Sequence, residues 1–284
     1  MKKSILLAIC LIINISNAQE KKSLLWKISG NGLTEASYLF GTIHISCDAT
    51  LSPKVLKALD NTKQLCLEID MDDPEMQQKI MSTVMMKDAK TVESLTSKEN
   101  FTLLDEFITK QTGYSIKMLN TIKPFAIAAM LYPKMINCPI QSFEGELMKV
   151  AKTQNEETIG LETIELQMDI FDAIPYQTQV DELVKSAKND LKSDIKELSD
   201  MLDIYKKEDI DKMYKMSIES ENQMMSKFND VLLVNRNKAW ISKIEEISKQ
   251  KPTFYGVGAA HLGGSNGVIN LLRKQGFKVE AVLK

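Results

Sequence analysis

The sequence predicts an α/β fold: a mixed sheet built from two related strand–Gly-x-x-His–helix–strand units, with a large helical insertion between them. Three observations lead there. The chain has two histidines, and each closes a Gly-x-x-His tetrapeptide at the end of an apolar run, Tyr38-Leu39-Phe40-Gly41-Thr42-Ile43-His44 and Tyr255-Gly256-Val257-Gly258-Ala259-Ala260-His261. Each motif is followed by a helical pattern and then a second apolar run. Between the two units lies a charged stretch, almost free of breakers, with apolar residues at helical spacing. At 284 residues and 44% hydrophobic content, the chain can bury a large core.

The elements follow in order. Lys2 and Lys3, the apolar stretch from Ile5 to Ile15 and the small residues Ser16-Asn17-Ala18 read as a secretory signal over residues 1–18. The stretch is shorter than the roughly 20 residues a spanning helix needs, so no stable membrane anchor is expected. Ile9 stands where a small residue precedes a lipidated cysteine, so Cys10 does not turn the signal into a lipoprotein signal. Cleavage near Ala18 predicts an exported protein, periplasmic or extracellular, with one domain over 19–284. Leu24 to Ser29 and Ala36 to Thr42 read as strands joined at Gly30-Asn31-Gly32, a hairpin signal. Ser52-Pro53 supplies an N-cap and first position for a helix ending near Asn61, and a strand from Leu65 to Ile69 follows.

The helical insertion is expected over about 74–250, with breaks near Gly113, Pro124, Pro133 and Pro139 and an interrupting strand near 158–161. From Tyr176 to Gln250 the spacing predicts two or three long helices. A strand at Thr253 to Val257, a helix at Gly267 to Gln275 and a strand at Lys278 to Leu283 complete the second unit, with Gly276 as C-cap glycine.

A net charge of −2 gives no reason to expect nucleic acid or an anionic membrane as partner. The mature chain keeps Cys47, Cys66 and Cys138. Cys66 reads as a small hydrophobe in a buried strand. Cys47 and Cys138 lie in loops; they are the pair to expect if a bridge forms, and three free thiols fit the sequence equally well.

In open α/β sheets ligands collect beyond the carboxyl ends of the strands, where both histidines are expected. Glycine three before each histidine would let the backbone bend or approach a ligand closely. Two imidazoles plus a carboxylate suit Zn²⁺, Mn²⁺ or Co²⁺. Glu68 ends the apolar run Leu65-Cys66-Leu67, where a charge is costly unless paired or metal-bound. Asp70 opens an acidic turn and is the second candidate, or caps the next helix. Glu162 repeats the strand-end pattern in Gly160-Leu161-Glu162-Thr163, or serves a helix first turn. Glu144 reads as a helix-terminal residue behind Ser142.

Of 36 basic residues only Arg236 and Arg273 are arginine. Arg236 shares an apolar helix face with Leu233 and Trp240, with Asn237 beside it. It reads either as a buried partner of Glu68 or Glu162 or as a clamp for substrate charge. Arg273 reads as structural. Metal-protease helices, cysteine knuckles, P-loops and nucleophile elbows are absent from the sequence. The sixteen methionines read as flexible core fillers.

These segments together resemble the TraB/GumN family, which includes the Tiki-type metalloproteases. The resemblance is carried by Leu39-Phe40-Gly41-Thr42-Ile43-His44, Leu67-Glu68-Ile69-Asp70, Gly160-Leu161-Glu162-Thr163, Arg236-Asn237 and Gly258-Ala259-Ala260-His261-Leu262 with Gly264 and Gly267. It implies an erythromycin-esterase/ChaN-like fold and a metal-dependent peptidase site favouring Mn²⁺ or Co²⁺. Its metal ligands would fall on His44, His261 and Glu68, with Arg236 in support. The leading expectation is therefore an exported metal-dependent hydrolase acting on a peptide or small molecule. Arg236 and Asn237 would stabilise an oxyanion, Glu162 would help complete the catalytic pocket, and Glu68 would serve as ligand or base. The rival expectations are a metal-free esterase with a histidine base and a non-enzymatic haem- or metal-binding protein. The oligomeric state is not legible from the sequence.

Overall fold

The computed structural model describes residues 22–283, so the signal expected over 1–18 lies outside the described residues. Six strands form one sheet: β1 (Leu25–Ser29), β2 (Ser37–Thr42), β3 (Gln64–Ile69), β4 (Glu157–Glu162), β5 (Phe254–Gly258) and β6 (Lys278–Ala281). Their order is β4-β3-β5-β2-β1-β6. β2, β5, β3 and β4 run parallel, β1 is antiparallel to both its neighbours, and β6 therefore points the same way as the parallel set. The turn between β1 and β2 uses the expected residues, with Gly30, Asn31 and Gly32 all at positive φ.

The early helices are α1 (Pro53–Leu59), α2 (Met76–Thr83), α3 (Lys98–Thr112), α4 (Pro124–Ala129), α5 (Tyr132–Met135) and α6 (Phe143–Thr153). After β4 come α7 (Ile164–Asp172), α8 (Tyr176–Asn189), α9 (Lys192–Lys206), α10 (Ile210–Glu219) and α11 (Gln223–Lys227). A π-helical turn over Asp230–Val234 leads into α12 (Asn235–Gln250), and α13 (Val268–Lys274) lies between β5 and β6. Both sequence units are thus strand–motif–helix–strand crossovers, β2–α1–β3 and β5–α13–β6, and they interlock because β5 inserts between β2 and β3.

Successive strand residues face opposite sides of a sheet. Leu67 and Leu147 of α6 meet at Gly256, whereas the neighbouring Tyr255 hydroxyl bonds Ser248 and the Ile244 carbonyl of α12. So α6 and α12 cover opposite faces, as a parallel sheet requires. Because Leu67 faces α6, Glu68 turns toward α12. The main core joins Leu25, Ile28, Leu39, Leu65, Leu67, Phe254 and Val257 of the sheet to Trp240 and Ile244 of α12. The insertion has a core of its own around Phe101, Leu104, Ile108, Ile127, Val180 and Leu183.

Three expectations change. The stretch from Tyr176 to Gln250 contains more, shorter helices than two or three, because Asp190, Leu191 and Glu208 take left-handed conformations that end helices without glycine or proline. Leu191 is buried, which offsets the strain of that conformation. The methionines divide: Met86 and Met213 are buried and Met135, Met148, Met201, Met224 and Met225 pack against the cores, whereas Met71, Met81, Met85 and Met118 are exposed. Asp70 does not cap the next helix, whose N-cap is Glu75. Cys47 and Cys138 form a disulfide with Cα atoms 5.6 Å apart, and Cys66 is a buried free thiol. No helix among the described residues is long and apolar enough to cross a membrane.

Candidate functional site

The strand order sets four functional segments side by side. Thr42 at the end of β2 pairs with Gly258 at the end of β5, Leu67 of β3 pairs with Gly256, and Ile69 pairs with Glu162 at the end of β4. The carboxyl ends of the parallel strands therefore present Glu162, Glu68, the second Gly-x-x-His and the first, in that order across the sheet. Gly41 is glycine for a reason of space. A β-carbon there would lie 2.8 Å from Leu262 and 3.1 Å from Ala259, residues of the other motif.

Arg236, in the first turn of α12, is the hub. Its Nε donates to both Glu162 oxygens at 3.2 and 3.0 Å, and Nη2 donates to Glu162 at 2.8 Å and to Glu68 Oε2 at 2.5 Å. Nη1 donates to the Leu232 carbonyl of the π-helical turn at 3.1 Å and to His261 Nε2 at 3.2 Å. A guanidinium has five N–H donors, and all five are engaged. The Trp240 indole lies against the guanidinium, 5.0 Å from ring centroid to Cζ, and donates to Glu162 Oε1 at 2.8 Å. Gln167 of α7 donates to both carboxylates at 3.3 Å. Glu162, with its side chain 2% exposed, is held from three sides. Both partners expected for Arg236 are present at once. Two carboxylates share one guanidinium, which leaves a net negative charge at a buried spot. Burial opposes ionisation of Glu68, but His261, Arg236, His44 and the Gly258 N–H hold its carboxyl well below the usual range.

Both histidines have Nδ1 tied to a side-chain oxygen, in otherwise different surroundings. His261 is buried, with its ring 4.4 Å from the Trp240 ring. Its Nδ1 donates to Asn237 Oδ1 at 2.5 Å, because Nε2 must accept from Arg236. Burial pushes the imidazole pKa down to about 3. The Asn237 amide is fully used, since Nδ2 donates to the Asn266 and His261 carbonyls. His44 Nδ1 bonds Glu144 Oε1 at 2.8 Å, and its ring is 68% exposed. The Glu144 bond, opposed in part by desolvation, pushes the His44 imidazole up to about 9. Burial raises the Glu144 carboxyl, but His44 brings it below its ordinary value.

Sequence reasoning missed Glu144, Gln167 and the indole N–H of Trp240 as members of this cluster. Ser142 caps α6 as expected, accepting from Gly145 N–H, and Glu144 lies in the first turn while also reaching His44. Asp70 stands apart: burial and the adjacent Asp72 push its carboxyl up to about 6. Arg273 is structural, donating to the Val279 carbonyl and lying over Trp26.

A pH effect follows for the metal-free protein. His44 is raised from 6.5 to about 9, so the pair's contribution is full below about 6.5 and lost as pH rises through about 9. The exposed ring is screened by solvent, so the effect is small. The Tm difference between wild type and Glu144→Gln, followed from pH 6 to 10 (roughly the titration range), is expected to shrink as pH rises; a constant difference would count against it.

Residues 24–281 match the TraB/PrgY/gumN family. The chain belongs to that family. No curated protein and no solved structure matches it. The match spans both Gly-x-x-His motifs, both strand-end glutamates and Arg236, so the whole cluster lies within the TraB/PrgY/gumN region.

The family resemblance implies a divalent ion, and the donors can be judged against one. Among the described residues no three of His, Cys, Asp and Glu stand as a finished metal cage. The donor chemistry nonetheless fits. Each Nδ1 is tied to an oxygen acceptor, the arrangement that orients metal-binding imidazoles and leaves Nε2 as ligand. Glu68 Oε1 lies 3.7 Å from His261 Nε2, and the carboxylate excess favours a cation. Coordination at His261 Nε2 would replace its hydrogen bond from Arg236.

Proposed function

We propose that this TraB/PrgY/gumN protein is an exported metal-dependent hydrolase that cleaves peptides, with His44, His261 and Glu68 holding a divalent ion. The observation that carries this reading is the matched setting of the imidazoles, Nδ1 to Glu144 in one and to Asn237 in the other. Peptide as substrate, Mn²⁺ or Co²⁺ as preferred ion (Zn²⁺ being compatible with the donors) and export rest on the resemblance and leader noted in the sequence. When bound, such an ion supplies Lewis acidity that acidifies water and polarises a carbonyl.

The chain's own residues have distinct tasks. Glu144 and Asn237 fix the two rings and their tautomers. Glu162, Trp240 and Gln167 hold Arg236 and Glu68 in one arrangement, so little reorganisation is needed during reaction. Arg236 has no spare donor while Nη1 bonds His261. With His261 Nε2 serving as a ligand, that N–H would be the guanidinium donor available to a developing oxyanion. Asn237 has no free N–H, so it positions His261 rather than stabilising the oxyanion directly.

A metal-free histidine base is less well supported. A general base works best with a pKa near the working pH, whereas one imidazole is pushed up to about 9 and the other down to about 3. Nor does His261 suit haem ligation, with Arg236 against its Nε2 and Trp240 against its face.

Elemental analysis of protein purified without chelator, paired with anomalous diffraction, tests the proposal. About one ion per chain is expected at the histidines in wild type, and chelation should abolish peptide hydrolysis. His44→Ala and His261→Ala should each lose the ion while keeping the wild-type circular dichroism. Full stoichiometry in both variants, or hydrolysis that survives chelation, would overturn it.

A further inference from the structure

The loop carrying His44 and the loop that leads into α6, whose first turn carries Glu144, are far apart in sequence, yet three successive ties join them. The side chains of His44 and Glu144 pair. Two residues on, Ser46 and Gln141 form an antiparallel bridge, with N–H···O distances of 3.0 and 2.8 Å in the two directions. The third tie is covalent, between Cys47 and Cys138, across 91 positions. The Gln141 side chain adds a bond from Ala49 N–H at 3.1 Å. Neither His44 nor Ser46 belongs to a helix or to a strand of the sheet, and Asn137, Pro139 and Ile140 in the opposing loop are exposed. Without the covalent tie, only hydrogen bonds, the Ser46–Gln141 bridge, the Ala49–Gln141 bond and the His44–Glu144 pair, would hold the two loops in register.

The second imidazole is secured differently. His261 is fixed by Asn237 and Arg236 of α12, Asn237 lying on that helix's buried face, with no hydrogen bond from either loop. Cys47 is exposed and Cys138 half-buried, so the bond is open to a small dithiol. Cys66 is buried in β3, and burial pushes its thiol up, so it does not serve as an internal exchange partner.

We propose that the Cys47–Cys138 disulfide is a positioning clamp for the His44–Glu144 pair, so that its reduction by a dithiol loosens one imidazole of the site and leaves the other in place. The reaction breaks the Sγ–Sγ bond and puts one proton on each sulfur. The dithiol gives up two electrons and two protons and becomes a disulfide. The consequence for metal binding rests on the function proposed above; the positioning itself does not.

The experiment reads the two imidazoles by NMR in the full chain at fixed pH, before and after treatment with dithiothreitol. With two histidines, assignment follows from His44→Ala. Reduction is expected to move the His44 resonances toward those of a free imidazole and to leave those of His261 in place. Cys47→Ser/Cys138→Ser should give the same spectrum without reductant. Co²⁺ titration of the oxidised and reduced forms should show an affinity loss of about tenfold, the lower end for removing the support of a ligand. Unchanged His44 resonances on reduction would overturn the clamp. So would movement of both histidines together, which would make the disulfide a global staple. Equal Co²⁺ affinity in the two forms would also overturn it. If oxidised wild type binds no Co²⁺, the metal reading fails, and the imidazole comparison still decides the clamp.

Discussion

Arg236→Met is expected to destabilise the protein by about 3–5 kcal/mol, the cost of removing one partner from a buried ion pair. The physical reason is the charge left behind. Glu162 and Glu68 both depend on this guanidinium, and their side chains are 2% and 13% exposed. Trp240 and Gln167 continue to donate to them, but neither brings a positive charge. Arg236→Lys keeps the charge and loses the fork that reaches both carboxylates, the Leu232 carbonyl and His261 together, so it should fall between the two. Adding Glu162→Gln to Arg236→Met removes one of the stranded charges and should recover part of the loss. Urea unfolding of the four proteins measures this. A value for Arg236→Met within about 1 kcal/mol of wild type would mean that the cluster tolerates its negative charges without the arginine.

The second large effect concerns ion affinity. Glu144→Ala is expected to weaken Mn²⁺ or Co²⁺ binding by up to about 100-fold, the range seen when an oriented imidazole loses its outer partner. His44 is exposed and its Nδ1 bonds Glu144, so nothing else described for the ring fixes its rotation. Glu144→Gln keeps an acceptor oxygen but not the charge, and should lose nearer tenfold. The orienting carboxylate also raises the basicity of the imidazole, which is why the two variants separate. Asn237→Ala, acting on His261, belongs in the same titration series, although its burial means that unfolding must be measured alongside. Wild-type affinity in Glu144→Ala would remove Glu144 from the proposed centre.

Much of this site was legible because its members break local rules. Two histidines in one repeated setting, arginine scarcity, and glutamates ending apolar strands all stand out against the rest of the chain. The sheet was legible for the related reason that its strands are short apolar runs bounded by turn residues. Glu144 was hidden because it has an ordinary role as well: a carboxylate in a helix first turn needs no further explanation. Gln167 sits on a helix of mixed polarity, and nothing local marks it as reaching two carboxylates. The Trp240 indole could be assigned to an apolar face, but its N–H partner depends on where β4 lies. The helix breaks at Asp190-Leu191 and Glu208 escaped because left-handed turns there are stabilised by tertiary packing rather than by glycine. What remained hidden was long-range contact.

The placement of β5 has a kinetic consequence. The strand that joins β2 to β3 is Phe254–Gly258, nearly 190 residues after β3 in the chain. A nascent chain can form the β1–β2 hairpin and many of its helices early, but it cannot join the two halves of the sheet until that segment has been synthesised. Pairings of such sequence separation make folding slow. Late arrival of the keystone strand ties assembly of both histidines to the completion of synthesis.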